Sequence, residues 1–313
     1  DLQRYYKQYK WSNIGAMLRN QRLSPEICPD PFDERVVVIT GATSGIGTAA
    51  ARKFAARGAE IVCINRSESK SKELCAALHK DYGAKCSYLL ADFANPAEVR
   101  AAAEQLAVLE GNIDVLIHNA GIYNTQKILT ANQIDLVFQT NYLSTFILNY
   151  GIKEKLRRQN SGRILFVNSE AHRFAVWGLH LDDLAWEHHA YSGLNSYGAA
   201  KMAQLLSMIK LNEYFQGSGV TVNAMHPGNI KTNSGQNNGA VYKFFKKLLI
   251  DRSARPIEVA AEALYFLGVS DTVKQMTGKF FNLTTVEEPA PPALDAEAAE
   301  ELWQRSLELG GLK

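Results

Sequence analysis

The sequence lacks any apolar run that could cross a membrane, since a spanning helix needs about 18 or more consecutive apolar residues. It also lacks an excess of either charge, because 34 Lys and Arg and 32 Asp and Glu are interspersed along its 313 residues. Nucleic-acid-binding proteins carry a concentrated basic surface, so this balance excludes that class of partner. The largest basic cluster, YKFFKKLL from Tyr242, leaves open either peripheral membrane contact or a solvated helix face.

Motifs for metal ligands and for a serine nucleophile are also missing. The seven histidines include no pair at i and i+4 and no His-Glu-x-x-His, so no metal site is expected. No Gly-x-Ser-x-Gly elbow occurs, which argues against a serine hydrolase. We interpret His188 and His189 as surface residues.

Cysteine is scarce. The chain has no Cys-x-x-Cys pair, and its four cysteines are Cys28, Cys63, Cys75 and Cys86. Two of them lie in apolar, strand-like runs, so we expect reduced thiols and a cytoplasmic protein. The first residues show no charged-then-apolar leader pattern, but the chain begins at Asp1 rather than at a methionine, so an upstream targeting segment is left open.

What the sequence does contain is a regular alternation of two patterns. From Arg35, short runs rich in Val and Ile alternate with longer helical stretches, which predicts an α/β fold: a doubly wound (Rossmann) parallel seven-stranded sheet with helices on both faces. The predicted strands are RVVVIT, EIVCIN, CSYLLAD, IDVLIHN, GRILFVN, GVTVNAM and KFFNL, and helices are predicted to begin near Gly45, Glu68, Pro96, Ala131, Asn195 and Pro256. No linker interrupts residues 35–285, so we predict one domain there, with helical extensions at 1–34 and 286–313.

The first predicted strand ends in a glycine-rich turn, TGATSGIG. Ligands of such sheets bind beyond the carboxyl ends of the strands, and the helix after this turn would direct its free N–H groups at a pyrophosphate. The spacing G-x-x-x-G-x-G differs from the common G-x-G-x-x-G fingerprint, so a purely steric glycine turn is the alternative. The candidate contacts are Gly41, Thr43, Ser44, Gly45, Ile46 and Gly47.

The residues after the next two strands concern the choice of cofactor. Arg66 follows the second strand, where NAD-binding sites usually carry an acid, and an arginine there can bond the 2′-phosphate of NADP(H). A surface arginine is the alternative. Asp92, followed by Phe93, ends the third strand and could accept from an adenine amino group or cap the helix at Pro96.

The segment SYGAAK puts Tyr197 and Lys201 four residues apart, and therefore on one face of a helix. A fixed positive charge nearby favours the phenolate, which makes a tyrosine a usable acid or base near neutral pH. An ordinary surface pair of Tyr and Lys is the alternative, so the decision depends on the other motifs.

Taken in order, these motifs resemble those of the short-chain dehydrogenase/reductase family, from about Arg35 to Leu283. The further residues that match the family's motifs are Asn119, Ala120, Gly121, Asn141, Ser169, Pro227, Gly228, Ile230 and Thr232. The segments CINRS, VNSEAHR and MHPGNIKT most resemble the branch of retinol dehydrogenases and the WW-domain-containing oxidoreductase.

The resemblance implies an NADP(H)-dependent enzyme that interconverts an apolar carbonyl and its alcohol. It implies that Tyr197 is the acid and base, that Ser169 binds the substrate oxygen, and that Lys201 binds the nicotinamide ribose. Asn141 would hold a helix bulge and link Lys201 to a proton relay through water. A homodimer through the helices bearing Asn141 and Tyr197 is left open.

Two other functions stay open. One is a cofactor-binding regulatory protein that has kept the fold without useful turnover, and the other is an NAD-dependent alcohol dehydrogenase.

In the family, the Asn119–Gly121 motif lines the adenosine side of the cofactor, and the segment from Pro227 to Thr232 closes on the nicotinamide carboxamide.

Two segments, 170–194 and 229–254, are predicted to bind the substrate because they are rich in aromatic and aliphatic residues near the presumed nicotinamide end. Trp177, Leu179 and Phe244 are the candidates for an apolar wall. The alternative is that these side chains pack under a loop or in an oligomer interface.

Overall fold

The computed structural model describes residues 5–8, 10, 13, 15, 19–20, 23–175, 178–230 and 255–313. Its strands are β1 (Val36–Thr40), β2 (Glu60–Asn65), β3 (Cys86–Leu90), β4 (Val115–His118), β5 (Gly162–Val167), β6 (Val220–His226), β7 (Phe280–Asn282) and β8 (Thr285–Glu287). They form one sheet in the order β3-β2-β1-β4-β5-β6-β7-β8. The strands β1 to β7 are parallel, and β8 pairs antiparallel with β7.

The helices are α1 (Gly45–Ala55), α2 (Glu68–Tyr82), α3 (Pro96–Ala107), α4 (Ser144–Gln159), α5 (Gly193–Phe215), α6 (Ile257–Val269) and α7 (Ala296–Leu309). A short turn (Leu136–Phe138) and a π-helix (Gln139–Leu143) lead into α4, and short 3-10 helices lie at Tyr6–Gln8, Glu170–Phe174, Asp271–Val273 and Pro291–Leu294. The predicted doubly wound fold is confirmed, with eight strands rather than seven.

One predicted helix start is wrong: the stretch expected from Ala131 becomes helical only at Leu136. Residues Thr130 to Ile134 instead form a closed turn, in which the Thr130 N–H donates to the Ile134 carbonyl at 2.8 Å. The Asp135 carboxylate then accepts from the Val137 N–H and caps the helical stretch.

Two hydrophobic clusters lie on opposite faces of the sheet. Val37 and Ile39 belong to one cluster and Val38 to the other, and all three are fully buried, as expected for a parallel strand covered on both sides. Helices α1, α2 and α6 contribute to the first cluster, and α3, α4, α5 and α7 to the second. Because the chain winds from β1 to β3 in one direction and from β4 to β7 in the other, a crevice opens beyond the carboxyl ends of β1 and β4.

The C-terminal helix α7 packs on the cluster that contains α4 and α5. Asp295 caps it by accepting from the N–H groups of Glu297 and Ala298. The Trp303 ring lies edge-on to Phe146 of α4, with 4.9 Å between ring centroids. Helix α7 therefore covers part of the surface of α4 and α5. These are the helices considered above as a possible homodimer interface.

The prediction of four reduced cysteines is wrong for one pair. Cys75 of α2 and Cys86 of β3 form a disulfide, because the turn after α2 brings their Cα atoms to 5.0 Å. Cys28 and Cys63 are free and buried. Among the residues described, no helix combines the length and apolar character that crossing a membrane requires.

Candidate active site

The glycine turn after β1 has no room for a side chain at Gly41 or at Gly47. Gly41 has φ +68°, and a Cβ there would lie 2.9 Å from the Ala120 Cα. A Cβ on Gly47 would lie 2.3 Å from the Gly41 carbonyl oxygen. At these two positions the turn therefore brings bare backbone to the crevice between β1 and β4.

Helix α1 begins at this turn with its N–H groups directed toward the crevice. Ser44 is its N-cap in an extended conformation, yet the Ser44 side chain accepts no hydrogen bond from the helix. Gly45 has φ +54° and open space where a Cβ would stand. A phosphate fits such a helix start, because it can accept from the first N–H groups and sits at the positive end of the helix dipole.

The segment after β4 braces the glycine turn. The Asn119 side-chain amide donates to the carbonyls of Thr40 and Gly41 at 3.1 and 2.9 Å. The Thr40 hydroxyl accepts from the N–H groups of Asn119 and Ala120 at 3.0 and 2.9 Å. The two motifs that lay 70 residues and more apart in sequence thus form one edge of the crevice.

Arg66 is exposed directly after β2, next to the glycine turn in the sheet. The Gly41 N–H donates to the Ile64 carbonyl at 2.9 Å, and the Ala42 N–H donates to the Asn65 side chain at 2.8 Å. These bonds hold the start of the turn against the end of β2, one residue from Arg66. An exposed arginine side chain at this position can reach toward a ligand of the turn.

Asp92 and Phe93, which lie just beyond the end of β3, have different environments. The Asp92 carboxylate accepts from the Ala94 N–H at 2.9 Å, while Asn95 rather than Asp92 caps α3. The Phe93 side chain is buried in the core, and its carbonyl accepts from the Ser144 hydroxyl at 2.6 Å. Any contact of Phe93 with a cofactor would therefore involve its backbone.

Asn141 is buried in the π-helix. Its side-chain amide hydrogen-bonds both backbone groups of one residue, as a neighbouring β-strand would. Its Oδ1 accepts from the Ile122 N–H at 2.7 Å and its Nδ2 donates to the Ile122 carbonyl at 2.9 Å. The Asn141 side chain also lies against Gly121, where an added Cβ would come within 3.2 Å of Oδ1. The helix bulge implied by the family resemblance is present at this residue.

Tyr197 and Lys201 lie on one face of α5, as their spacing predicted. The Lys201 ammonium is 5.5 Å from the centroid of the Tyr197 ring, and that ring packs edge-on against Tyr123. Lys201 is 4% exposed and donates to the Val167 carbonyl at 2.7 Å. Burial lowers the pKa of Lys201 to about 7.

Ser169 follows β5 and is held close to α5. A Cβ on Gly198 would lie 2.6 Å from the Ala171 carbonyl, so this glycine lets the turn after Ser169 approach the helix beside Tyr197. The Ser169 hydroxyl is half-buried and accepts from the Ala171 N–H at 3.1 Å. The structure thus brings the Ser169 turn, Tyr197 and Lys201 to one side of the crevice.

Two buried amides that sequence reasoning missed lie behind these residues. The Asn168 Nδ2 donates to the Gln204 Oε1 and to the Lys201 carbonyl, both at 2.9 Å. Asn168 directly follows the apolar end of β5, and Gln204 lies one turn beyond Lys201 on a buried helix face. The signal available in the sequence was a polar side chain at a position where an apolar, buried residue is expected.

The segment after β6 borders the same crevice. Gly228 has φ +79°, and Ile230 is buried and pairs with Arg255 across an isolated bridge. Pro227 links this turn to the strand. Thr232 lies outside the described residues.

Of the three predicted substrate contacts, Trp177 and Phe244 lie outside the described residues, and Leu179 packs against the core. Leu179 lines a cavity of about 10 Å³, close to the volume of one water. Trp186, also in that wall, is 7% exposed, whereas Phe174 is 54% exposed next to the Ser169 turn. For Trp186 and Leu179, the structure thus fits the alternative that these side chains pack under a loop.

The remaining residues of this connection organise its backbone. Asp183 accepts from the N–H groups of Glu187, His188 and His189, and its carboxylate also contacts the His189 ring at 2.7 Å. Among the residues with described positions, no cluster of His, Cys, Asp or Glu could hold a metal ion.

Comparison with known proteins gives consistent results. The model of the family described as short chain dehydrogenase matches residues 35–180. Retinol dehydrogenase 13 of Homo sapiens is 30% identical over 312 residues, which cover 96% of this chain and 92% of that protein. WW domain-containing oxidoreductase of Danio rerio is 29% identical, with 99% of this chain and 74% of that protein covered.

A solved structure agrees with the fold. The short-chain dehydrogenase from Sphingobium yanoikuyae, determined in complex with NADPH, superposes with a TM-score of 0.60 at 26% sequence identity. The superposition covers 74% of this chain and 84% of that chain.

Proposed function

The chain belongs to the short-chain dehydrogenase family and resembles its retinol dehydrogenase branch, and from this premise we propose that it is an NADP(H)-dependent oxidoreductase that interconverts an apolar carbonyl and its alcohol. The observation that carries the proposal is the grouping of Tyr197 and Lys201 on one face of α5, against the Ser169 turn and beside an open helix start. An acid and base, an oxygen-binding hydroxyl and a phosphate site are the parts that hydride transfer to a carbonyl requires.

The glycine turn and its neighbours would hold the cofactor. The first N–H groups of α1 would bind the pyrophosphate, Arg66 the 2′-phosphate, and the turn at Pro227 and Gly228 would lie at the nicotinamide end. The bound dinucleotide supplies the hydride. In the same arrangement Asp92 would accept from the adenine amino group.

Tyr197 would exchange the proton of the reacting oxygen. In carbonyl reduction its hydroxyl donates to that oxygen, and in alcohol oxidation its phenolate accepts the hydroxyl proton. The Ser169 hydroxyl would bond the same oxygen and stabilise its developing charge. The Lys201 ammonium favours the phenolate and would also bond the ribose, while the Asn141 bulge fixes the helix wall behind Lys201.

The proposed substrate is apolar because the exposed Phe174 lies next to Ser169 and because the segments at 170–194 and 229–254 are rich in aliphatic and aromatic residues. Burying apolar surface contributes about 25 cal/mol per Å², so each added methylene should raise kcat/KM. The name of the human relative, a retinol dehydrogenase, supports polyene alcohols and aldehydes as members of this class.

The test is a steady-state screen of aliphatic and polyene aldehydes of increasing length with NADPH, beside small hydroxylated ketones. We expect kcat/KM to rise stepwise with chain length and the hydroxylated ketones to be poor substrates. Preference for the hydroxylated set would overturn the substrate class. Tight NADPH binding without turnover of any carbonyl would favour the regulatory alternative.

A further inference from the structure

The amides of Asn168 and Gln204 contact three of the four residues in the proposed catalytic set. Asn168 accepts from the Ser169 N–H at 2.8 Å and donates to the Lys201 carbonyl at 2.9 Å. Gln204 donates to the Asn141 carbonyl at 2.7 Å and faces the Lys201 ammonium. The two amides are 2% and 1% exposed, so these bonds form out of contact with bulk water.

The orientation of the Gln204 amide is fixed by its partners. The Asn141 carbonyl can only accept, so the NH₂ end of Gln204 must face it. The oxygen end then accepts from the Asn168 Nδ2 at 2.9 Å and from the Lys201 ammonium at 3.4 Å. Gln204 therefore bridges the π-helix and the lysine directly.

Lys201 depends on such acceptors because it is buried. The Val167 carbonyl is its other acceptor, at 2.7 Å, and the π-helix and the end of β5 present neutral groups. Among the residues described, its ionisable neighbours are Tyr197 on the same helix and His118 at the end of β4, and burial lowers the pKa of His118 to about 4. His118 is thus neutral where the reaction would run, and uncharged acceptors decide whether Lys201 keeps its proton.

We propose that Gln204 is a positioning residue for hydride transfer: it holds the Lys201 ammonium beneath Tyr197 and ties it to the Asn141 carbonyl. This inference rests on the proposed function. In the sequence-based expectation, a water linked Asn141 and Lys201, and Gln204 makes that link with its own side chain.

Loss of this bridge has a defined chemical consequence. A single proton can lie on either Tyr197 or Lys201. The pair is then either a phenolate beside an ammonium or a phenol beside a neutral amine. An acceptor on the ammonium favours the first form, which is the active base in alcohol oxidation. Removing the acceptor should lower the Lys201 pKa by about one unit, and should reduce kcat about tenfold.

The experiment compares Gln204→Met with Gln204→Glu in the full chain. Methionine has similar length and no comparable donor or acceptor, whereas a glutamate keeps an oxygen near Lys201 and adds a negative charge. Lysine ¹³Cε NMR titration, with the Lys201 signal identified by its loss in Lys201→Ala, reports the pKa without turnover. Gln204→Met should lower it and Gln204→Glu should raise it.

The matched control is Gln139→Met, which removes another buried glutamine amide, one that donates to the Ser144 hydroxyl and is not an acceptor for Lys201. It should leave the Lys201 pKa unchanged. In alcohol oxidation with NADP⁺, Gln204→Met should lower kcat about tenfold and leave KM within about twofold.

An unchanged Lys201 pKa in both Gln204 variants, or an equal shift in Gln139→Met, would overturn the bridge. Absence of turnover in the unmodified protein would instead contradict the proposed function, and the NMR titration would still decide the role of Gln204.

Discussion

Individual side chains in this site differ in how well their surroundings support a charge. Lys201 is almost fully buried among carbonyl and amide groups, and its burial lowers its pKa to about 7. Tyr197 is half-buried and packs against Tyr123. Since a neutral lysine would no longer favour the phenolate, the carbonyl of Val167 and the amide of Gln204 are as important to the proposed chemistry as the lysine itself.

At the same scale, Arg66→Glu tests the choice of cofactor. Loss of a charge-assisted bond to the 2′-phosphate, with repulsion added, should weaken NADPH binding by roughly 10- to 100-fold or more, while NADH binding changes little. Isothermal titration calorimetry with both cofactors measures this. Arg158→Glu, an equal charge change at an exposed position in the last turn of α4, is the control. Equal affinity of the unmodified protein for NADPH and NADH would contradict the assignment.

The sequence predicted the residues whose spacing carries a signal. A Tyr and a Lys four apart must share a helix face, and a glycine turn must follow β1 for the helix start to be open. The bridge through Gln204 could not be predicted, because its partners Asn141 and Asn168 come from two other elements, and only folding brings the three together.

At the scale of elements, helix α7 is joined to the π-helix by one buried bond. The Tyr142 hydroxyl and the Ser306 Oγ are 2.7 Å apart, and the Ser306 hydroxyl also donates to the Leu302 carbonyl at 2.7 Å. In this arrangement the tyrosine donates to the serine. The C-terminal helix therefore supports the wall that carries Asn141.

Ser306→Ala should be more destabilising than Tyr142→Phe. The alanine leaves the buried Tyr142 hydroxyl without this partner, which costs about 1–3 kcal/mol, whereas in Tyr142→Phe the serine keeps its bond to Leu302. Urea unfolding followed by circular dichroism gives both changes in free energy. If Tyr142→Phe proved the more costly, the direction of the bond would be wrong.

Elements were predictable where they are long and periodic. All seven predicted strands occur, but β8 has three residues after a tight turn and carries too little pattern to be recognised. The disulfide between Cys75 and Cys86 was missed for a related reason, because the approach of α2 to β3 is a tertiary feature that cysteine spacing does not contain.

For the whole molecule, buried histidines should make stability fall in acid. Burial lowers the pKa of His118 and His226 to about 4 and that of His172 to about 3. Their unfolded values lie near 6.5, so below about pH 6.5 the unfolded chain binds more protons than the folded one. Each histidine should cost roughly 2 kcal/mol of stability on going from pH 7 to pH 5.

Two buried carboxyls act in the opposite direction, because burial also raises the pKa of Asp135. Burial raises the pKa of Glu170 to about 7, so between about pH 4.5 and 7 the folded state binds the extra proton and acid stabilises it. The three histidines should outweigh the two carboxyls, and the free energy of unfolding from urea titrations should decrease from pH 7 to pH 5. A flat or increasing stability over that range would show that these histidines are not held neutral.

The central claim is that Tyr197 supports transfer of a hydride from NADPH to a carbonyl carbon. The most direct measurement uses NADPH deuterated at both C4 positions of the nicotinamide and a long-chain aldehyde, with mass spectrometry of the alcohol. The unmodified protein should yield alcohol carrying one deuterium on the former carbonyl carbon. Tyr197→Phe should bind NADPH normally and form this product about 10²- to 10⁴-fold more slowly. Alcohol without deuterium, or an undiminished rate in Tyr197→Phe, would contradict the account.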